Sequence, residues 1–149
     1  MPQQNIMLEL SRTIYKVNRI MTEYWQQLME QEDLGDLQPT IAAVLLPLLE
    51  KEGRMLSELA GNLRMKAPTV TVIANRLEEL GWIRRERGTE DRRQVHLFLT
   101  EEGREKAKIL GRIRRKVLQH MAAGIGKDRL VTANKTLNQI LSNVDGRLS

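Results

Sequence analysis

Arginine supplies most of the chemistry available to this chain. Arg84, Arg85, Arg87, Arg92 and Arg93 crowd one short stretch, with Asp91 among them. A guanidinium is always charged and holds its donors in a rigid fork that suits phosphate oxygens and the acceptor edge of guanine. Just upstream stand Pro68, Thr69, Thr71, Val72, Asn75 and Arg76, a set of short polar groups with one apolar member. These side chains can bind but have little to catalyse with. The chain has no cysteine, so thiolate nucleophiles, thiolate metal sites, disulfides and direct cysteine redox sensing are excluded. It has two histidines, His96 and His120, and no glycine-rich phosphate loop. Histidine and carboxylate ligands at zinc spacing are absent, and the neighbouring Glu101 and Glu102 suit the first turn of a helix better than acid-base work. No enzyme activity, cofactor or metal is expected.

Charge is distributed unevenly. Residues 1–53 carry 4 basic and 8 acidic side chains, whereas residues 54–116 carry 16 and 9. A basic centre beside an acidic N-terminal segment fits a reader of polyanions with a separate assembly region. The opening Met1-Pro2-Gln3-Gln4-Asn5 has no basic region leading into an apolar stretch, and the apolar run Ile41 to Leu49 is broken by Pro47. Neither secretion nor membrane insertion is expected, in keeping with a cytoplasmic protein.

The elements that must hold these residues follow from periodicity. Met7, Leu10, Ile14, Val17, Met21, Tyr24 and Leu28 alternate spacings of three and four, the stripe of a long amphipathic helix, with Tyr15, Trp25 and Met29 widening it. Leu130, Ala133, Leu137, Leu141, Val144 and Leu148 form a second stripe near the C-terminus. Such seams can pack on the chain's own core, but a second subunit is the better cover for two long terminal helices. Gly35 and Pro39 announce a new helix carrying Ile41, Val44, Leu45, Leu48 and Leu49. Pro47 should bend or shorten it, and no functional reason for Pro47 is evident.

Ser57 is placed to cap a short helix with Leu59, Ala60 and Leu63, and Arg64 to Ala67 make a turn. Pro68 opens the next helix, over 68–80. Val70, Ile73, Leu77 and Leu80 point inward there, and Gly81 terminates it. The period then changes to alternation over 82–99, a hairpin with its turn from Gly88 to about Arg93. Thr100 caps a long helix running to Gly124 and Gly126. The fold class is mostly α with a small β-hairpin wing: a winged helix-turn-helix with N- and C-terminal helices for dimerisation. In that arrangement a helix fits the DNA major groove, while the hairpin tip reaches the minor groove or phosphates.

The residues also resemble a known family. Ser57-Glu58-Leu59-Ala60, Ala67-Pro68-Thr69-Val70-Thr71, Arg76 through Ile83, Asp91-Arg92-Arg93 and Leu99-Thr100-Glu101-Glu102-Gly103 are similar in order and spacing to the MarR (multiple antibiotic resistance regulator) family. The resemblance implies one MarR-like domain over 1–149. Residues 5–30 and 127–147 would be dimerisation helices, 38–100 the winged helix-turn-helix and 101–124 a long connecting helix. It implies a homodimer on double-stranded DNA that reads a palindrome, acting as a repressor. The major-groove set would be Pro68, Thr69, Thr71, Val72, Asn75 and Arg76, and the wing set Arg87, Asp91, Arg92 and Arg93. Arg93 matches the wing arginine that enters the minor groove, and Asp91 the carboxylate that orients wing arginines, although Asp91 also suits a simple turn. Arg92 would meet phosphate or solvent.

The family often carries a basic residue where this chain has Val72, which can either touch a thymine methyl or pack inward. The resemblance further implies a small aromatic or phenolic effector between the dimer helices and the winged region. Arg12 and Tyr15 could offer it a cation and a hydroxyl, or be plain surface and seam residues. The basic run Arg104 to Lys116 could touch flanking phosphate or pair with acidic neighbours. The competing function is a winged-helix protein-interaction module, which would more often expose apolar side chains on the second helix.

Overall fold

A computed structural model describes residues 2–148. The chain divides into two compact units, Met1–Arg115 and Lys116–Ser149. The first holds helix α1 (Pro2–Glu30), a 3₁₀ turn (Pro39–Ile41), α2 (Ala42–Glu50), strand β1 (Arg54–Met55), α3 (Leu56–Asn62), α4 (Ala67–Glu79), β2 (Ile83–Arg87), β3 (Val95–Leu99) and most of α5 (Glu101–Ala122). The second contains the end of α5 and all of α6 (Lys127–Asp145). No helix among the described residues is long and apolar enough to cross a membrane.

The core of the first unit is aliphatic. Met29 from α1, Val44, Leu45 and Leu48 from α2, Leu59 from α3, Val70 and Leu77 from α4, and Leu97 from β3 are essentially inaccessible to water. Only the last part of α1 takes part. Leu28 and Met29 are buried, whereas Met7, Ile14 and Val17 of the predicted stripe are exposed in the single chain. The stripe of α6 is likewise uncovered, at Leu130, Leu137, Leu141 and Val144.

The anticipated helix from Pro39 is shorter than its apolar pattern, beginning as a 3₁₀ turn and giving nine α-helical residues. Pro47 lies within it. Its carbonyl accepts from Lys51 N at 3.0 Å and from Arg54 Nε at 3.1 Å. Arg54 also donates to Glu58 Oε1 at 3.1 Å, so one half-buried guanidinium ties the end of α2 to α3.

Two expectations are corrected. Ser57 does not cap α3: the helix begins one residue earlier, Met55 is its N-cap residue, and no side chain caps it. The wing is also more than a hairpin, because β1 pairs antiparallel with β3 to give the sheet order β1-β3-β2. The register sets Arg54 opposite Leu97 and Met55 opposite His96, and across the hairpin Ile83 opposite Leu99 and Arg87 opposite Val95. His96 Nδ1 donates to the Gly53 carbonyl at 2.9 Å, fastening the loop before β1, which is a packing role.

Candidate nucleic-acid interface

Helices α3 and α4 are joined by a turn that reverses the chain tightly. Met65 N bonds to Ala60 O at 3.1 Å and Arg64 N to Gly61 O at 3.2 Å. This is a Schellman closure with Arg64 at φ 50° in the left-handed position that glycine usually takes. Helix α4 then starts with Pro68 in its first turn, where the missing amide is not needed. Val70, Ala74 and Leu77 are fully buried, so the inward face runs through Ala74, and Ile73 is only half-buried. The opposite face exposes Pro68, Thr69, Val72, Asn75 and Arg76. Thr71 is half-buried and its hydroxyl donates to Ala67 O at 2.9 Å. Val72 is 67% exposed, so it does not pack inward. Arg76 pairs along the helix with Glu79 at 3.4 Å.

The wing is locked to α4 and α5 by a compact joint. Gly81 (φ 74°) closes α4, with its own N bonded to Glu78 O and Trp82 N to Leu77 O, both at 2.9 Å. Thr100 joins three segments: its hydroxyl donates to Gly81 O at 2.6 Å, accepts from Gly103 N at 3.0 Å as the predicted cap, and its N bonds to Trp82 O at 3.0 Å. Gly103 lies so close to Trp82 that an added Cβ would stand 1.7 Å from the Trp82 carbonyl oxygen. Trp82 Nε1 donates to Glu102 Oε1 at 3.3 Å, and Lys106 Nζ sits 5.6 Å from the Trp82 ring.

Wing arginines fall into two groups. At the root, Arg84 pairs with Glu86 and lies over Phe98, 4.6 Å from the ring centroid. Arg85 reaches back to α4, donating to Asn75 Oδ1 at 2.5 Å with its Nε 3.6 Å from Glu78 Oε2. The alternation pattern alone does not reveal these partners. Toward the tip, Arg87, Arg92 and Arg93 are exposed, and among the described residues none forms an ion pair with a carboxylate. Asp91 Oδ1 accepts from Arg93 N at 2.9 Å, which makes it a turn former. Gly88 N bonds to Gln94 O at 2.9 Å to close the tip.

Three of the seven basic side chains from Arg104 to Lys116 form ion pairs within the chain. Arg104 pairs with Glu52, Arg114 with Glu50 at 3.3 Å and Lys108 with Glu105 at 2.7 Å. The Lys108 hydrogen bond and charge hold the Glu105 carboxyl below its ordinary range. Arg12 and Tyr15 share an open groove on α1 with Ser11, Lys16 and Arg19, and Tyr15 is mostly exposed. A separate crevice of about 250 Å³ separates α1 from residues 38–40, lined by Asn18, Met21, Thr22, Trp25, Gln38, Pro39 and Thr40. No cluster of three or more histidine, aspartate or glutamate side chains able to hold a metal occurs among the described residues.

A tight two-helix turn followed by a hairpin wing whose sheet β1 completes, with a polar helix face beside a cationic tip, defines a winged helix-turn-helix. Residues 37–95 match the MarR family model, so this part of the chain is similar to that family. It is 44% identical over 61 residues to the HTH-type transcriptional regulator TtmR of Methylorubrum extorquens, covering 41% of this chain and 31% of that protein. It is 34% identical over 77 residues to the HTH-type transcriptional repressor MdtR of Bacillus subtilis, covering 52% of this chain and 50% of that one. The chain thus matches about a third to a half of the length of these curated relatives. The fold is similar to that of a solved S. aureus MepR–DNA complex, with TM-score 0.80 and 21% identity over 89% of this chain and 96% of that chain.

Proposed function

We propose that the protein is a sequence-specific DNA-binding transcriptional regulator, a repressor that works as a homodimer on a palindromic site. In this reading α4 enters the major groove through Pro68, Thr69, Thr71, Val72, Asn75 and Arg76, and the wing reaches the minor groove through Arg93 with Arg87 and Arg92 beside it. Asp91 shapes the turn that presents them. The observation that carries the reading is the division within the wing: root arginines spend their charge on the protein, whereas Arg87, Arg92 and Arg93 at the tip pair with no carboxylate among the described residues. A wing serving only the fold gains nothing from unpaired charge at its tip. On α4, Val72 is the one large apolar side chain exposed, which disfavours a protein-docking helix.

The uncovered stripes of α1 and α6 supply the surfaces for the dimer, with α5 as the connecting helix. A DNA-reading role places the protein in the cytoplasm. The crevice beside α1 combines Met21, Trp25 and Pro39 with the amides of Asn18 and Gln38, a lining that suits a small aromatic effector with a polar edge.

The test is selection from random duplex DNA with the wild type, Arg93→Ala and Asn75→Ala. A palindrome with half-sites about one helical turn apart is expected. Both variants should weaken its binding, and Arg93→Ala should flatten the salt dependence. Absence of an enriched sequence, with no salt-dependent retention on DNA, would replace this function with the protein-interaction one.

A further inference from the structure

The contact between Arg85 and Asn75 bears on which base pair α4 selects, and it rests on the DNA-reading role proposed above. Arg85 is rooted in β2, half-buried, with its side chain 28% exposed. Its Nη2 donates to Asn75 Oδ1 at 2.5 Å, and its Nε, shielded from water and without a hydrogen bond, stands 3.6 Å from Glu78 Oε2. Glu78 lies one helical turn beyond Asn75. The carboxylate thus holds the guanidinium, and the guanidinium holds the amide.

An asparagine side chain has one acceptor oxygen, with two lone pairs, and an NH2 group with two donors. When asparagine reads adenine it uses both ends, Oδ1 accepting from N6 and Nδ2 donating to N7. Here Oδ1 already faces a cation. Bringing the adenine amino group to the same oxygen would set its hydrogens against those of the guanidinium. The Asn75 NH2 group forms no bond to another side chain among the described residues and keeps its donors. The second lone pair of Oδ1 lies beside the guanidinium hydrogens, which disfavours a further donor there, whereas guanine presents two acceptors, N7 and O6, and no donor on its major-groove edge, so it suits the free NH2 group.

We propose that Arg85 is a positioning residue that fixes the Asn75 amide as a donor, so that Asn75 selects a G·C pair in each half-site where a free asparagine would select A·T. The charge of Arg85 is directed to Glu78 and Asn75, and phosphate is not its partner.

Selection from random duplexes with the wild type, Asn75→Ala and Arg85→Met tests this. The position at which Asn75→Ala loses its preference identifies the pair concerned. The wild type should hold G·C there, and Arg85→Met should move the G·C to A·T affinity ratio toward A·T by about tenfold, within the range that one base contact commands. The slope of log affinity against log salt should be the same for Arg85→Met as for the wild type, since no phosphate contact is removed. A slope smaller by about one would make Arg85 a phosphate ligand and overturn the proposal. So would A·T at that position in the wild type, an unchanged G·C preference in Arg85→Met, or no position responding to Asn75→Ala. If circular dichroism shows Arg85→Met unfolded, the wild-type preference decides alone. Loss of all salt-dependent DNA binding by the wild type would remove the regulator reading itself, a result separate from any of these.

Discussion

At the scale of single residues, Val72 departs from the habit of the family the sequence resembles and invites the sharpest test. Val72 presents an isopropyl group 67% exposed between Thr69 and Asn75 on a polar helix face. Burying a methyl-sized contact against it is worth roughly 0.8 kcal/mol. If Val72 meets a thymine methyl in the operator, replacing that thymine with deoxyuridine, which lacks only the methyl, should weaken binding about fourfold, the same energy expressed as a ratio. Val72→Ala should bind both duplexes alike. Fluorescence anisotropy with the two duplexes reads the difference, and equal affinity of the wild type for both would remove the contact. The exposed face of α4 and the tip arginines were legible in the sequence, because they follow from helical period and local charge. The separation of Arg84 and Arg85 from Arg87, Arg92 and Arg93 was not: Asn75 and Glu78 reach Arg85 only once β2 has folded back along α4. Asp91 was legible only as two alternatives, and its bond to Arg93 N gives it the turn role.

Among elements, the joint between α4, the wing and α5 explains why the Leu-Thr-Glu-Glu-Gly segment is so specific a part of the pattern. Thr100 closes three backbone groups at once, and Gly103 leaves room for the Trp82 carbonyl. Within a helix, glycine to alanine ordinarily stabilises by about 1 kcal/mol. At Gly103 the sign should reverse. A Cβ 1.7 Å from a backbone oxygen cannot be relieved by a side-chain rotation, and Gly103→Ala should cost about 3 kcal/mol, the upper end for overpacking. Urea unfolding followed by circular dichroism would show it, and an unchanged or raised midpoint would refute the account. Arg64→Val tests the neighbouring turn in the same way. Arg64 already bears the roughly 1–2 kcal/mol cost of the left-handed conformation at φ 50°, and β-branching should add to it and lower the midpoint. The order of helices and the hairpin was legible because each is long enough to show a period. Strand β1 was not, since two residues carry no alternation and its pairing with β3 spans some forty residues of chain. The misplaced cap at Ser57 has a similar origin: a good capping residue was present, but the chain enters the helix at Leu56.

For the whole molecule the open question is what covers the terminal helices. Helix α6 has nineteen residues and none is buried in the single chain. The Thr132 and Thr136 hydroxyls bond back along the helix, and most helical stability in proteins comes from packing an amphipathic face. Six large apolar side chains from Leu130 to Leu148 are exposed on or just beyond it, as are Met7, Ile14, Val17 and Ile20 on α1. A stable chain of this kind requires a cover of matching character, and a second copy offers the same stripes in return. Replacing Leu137 and Leu141 together by glutamate places two charges in that seam without touching α4 or the wing. The wild type should sediment as a dimer at micromolar concentration and the double variant as a monomer with α6 partly unfolded. The variant should also lose about a hundredfold or more in affinity for a palindromic duplex, because linking two half-site contacts raises affinity by factors of this order. Its binding to a single half-site should stay close to that of the wild type, with roughly half the salt slope seen on the palindrome. Should the double variant remain dimeric and bind the palindrome unchanged, the stripe of α6 would not be the subunit contact, and the cover of α1 would have to carry the assembly alone.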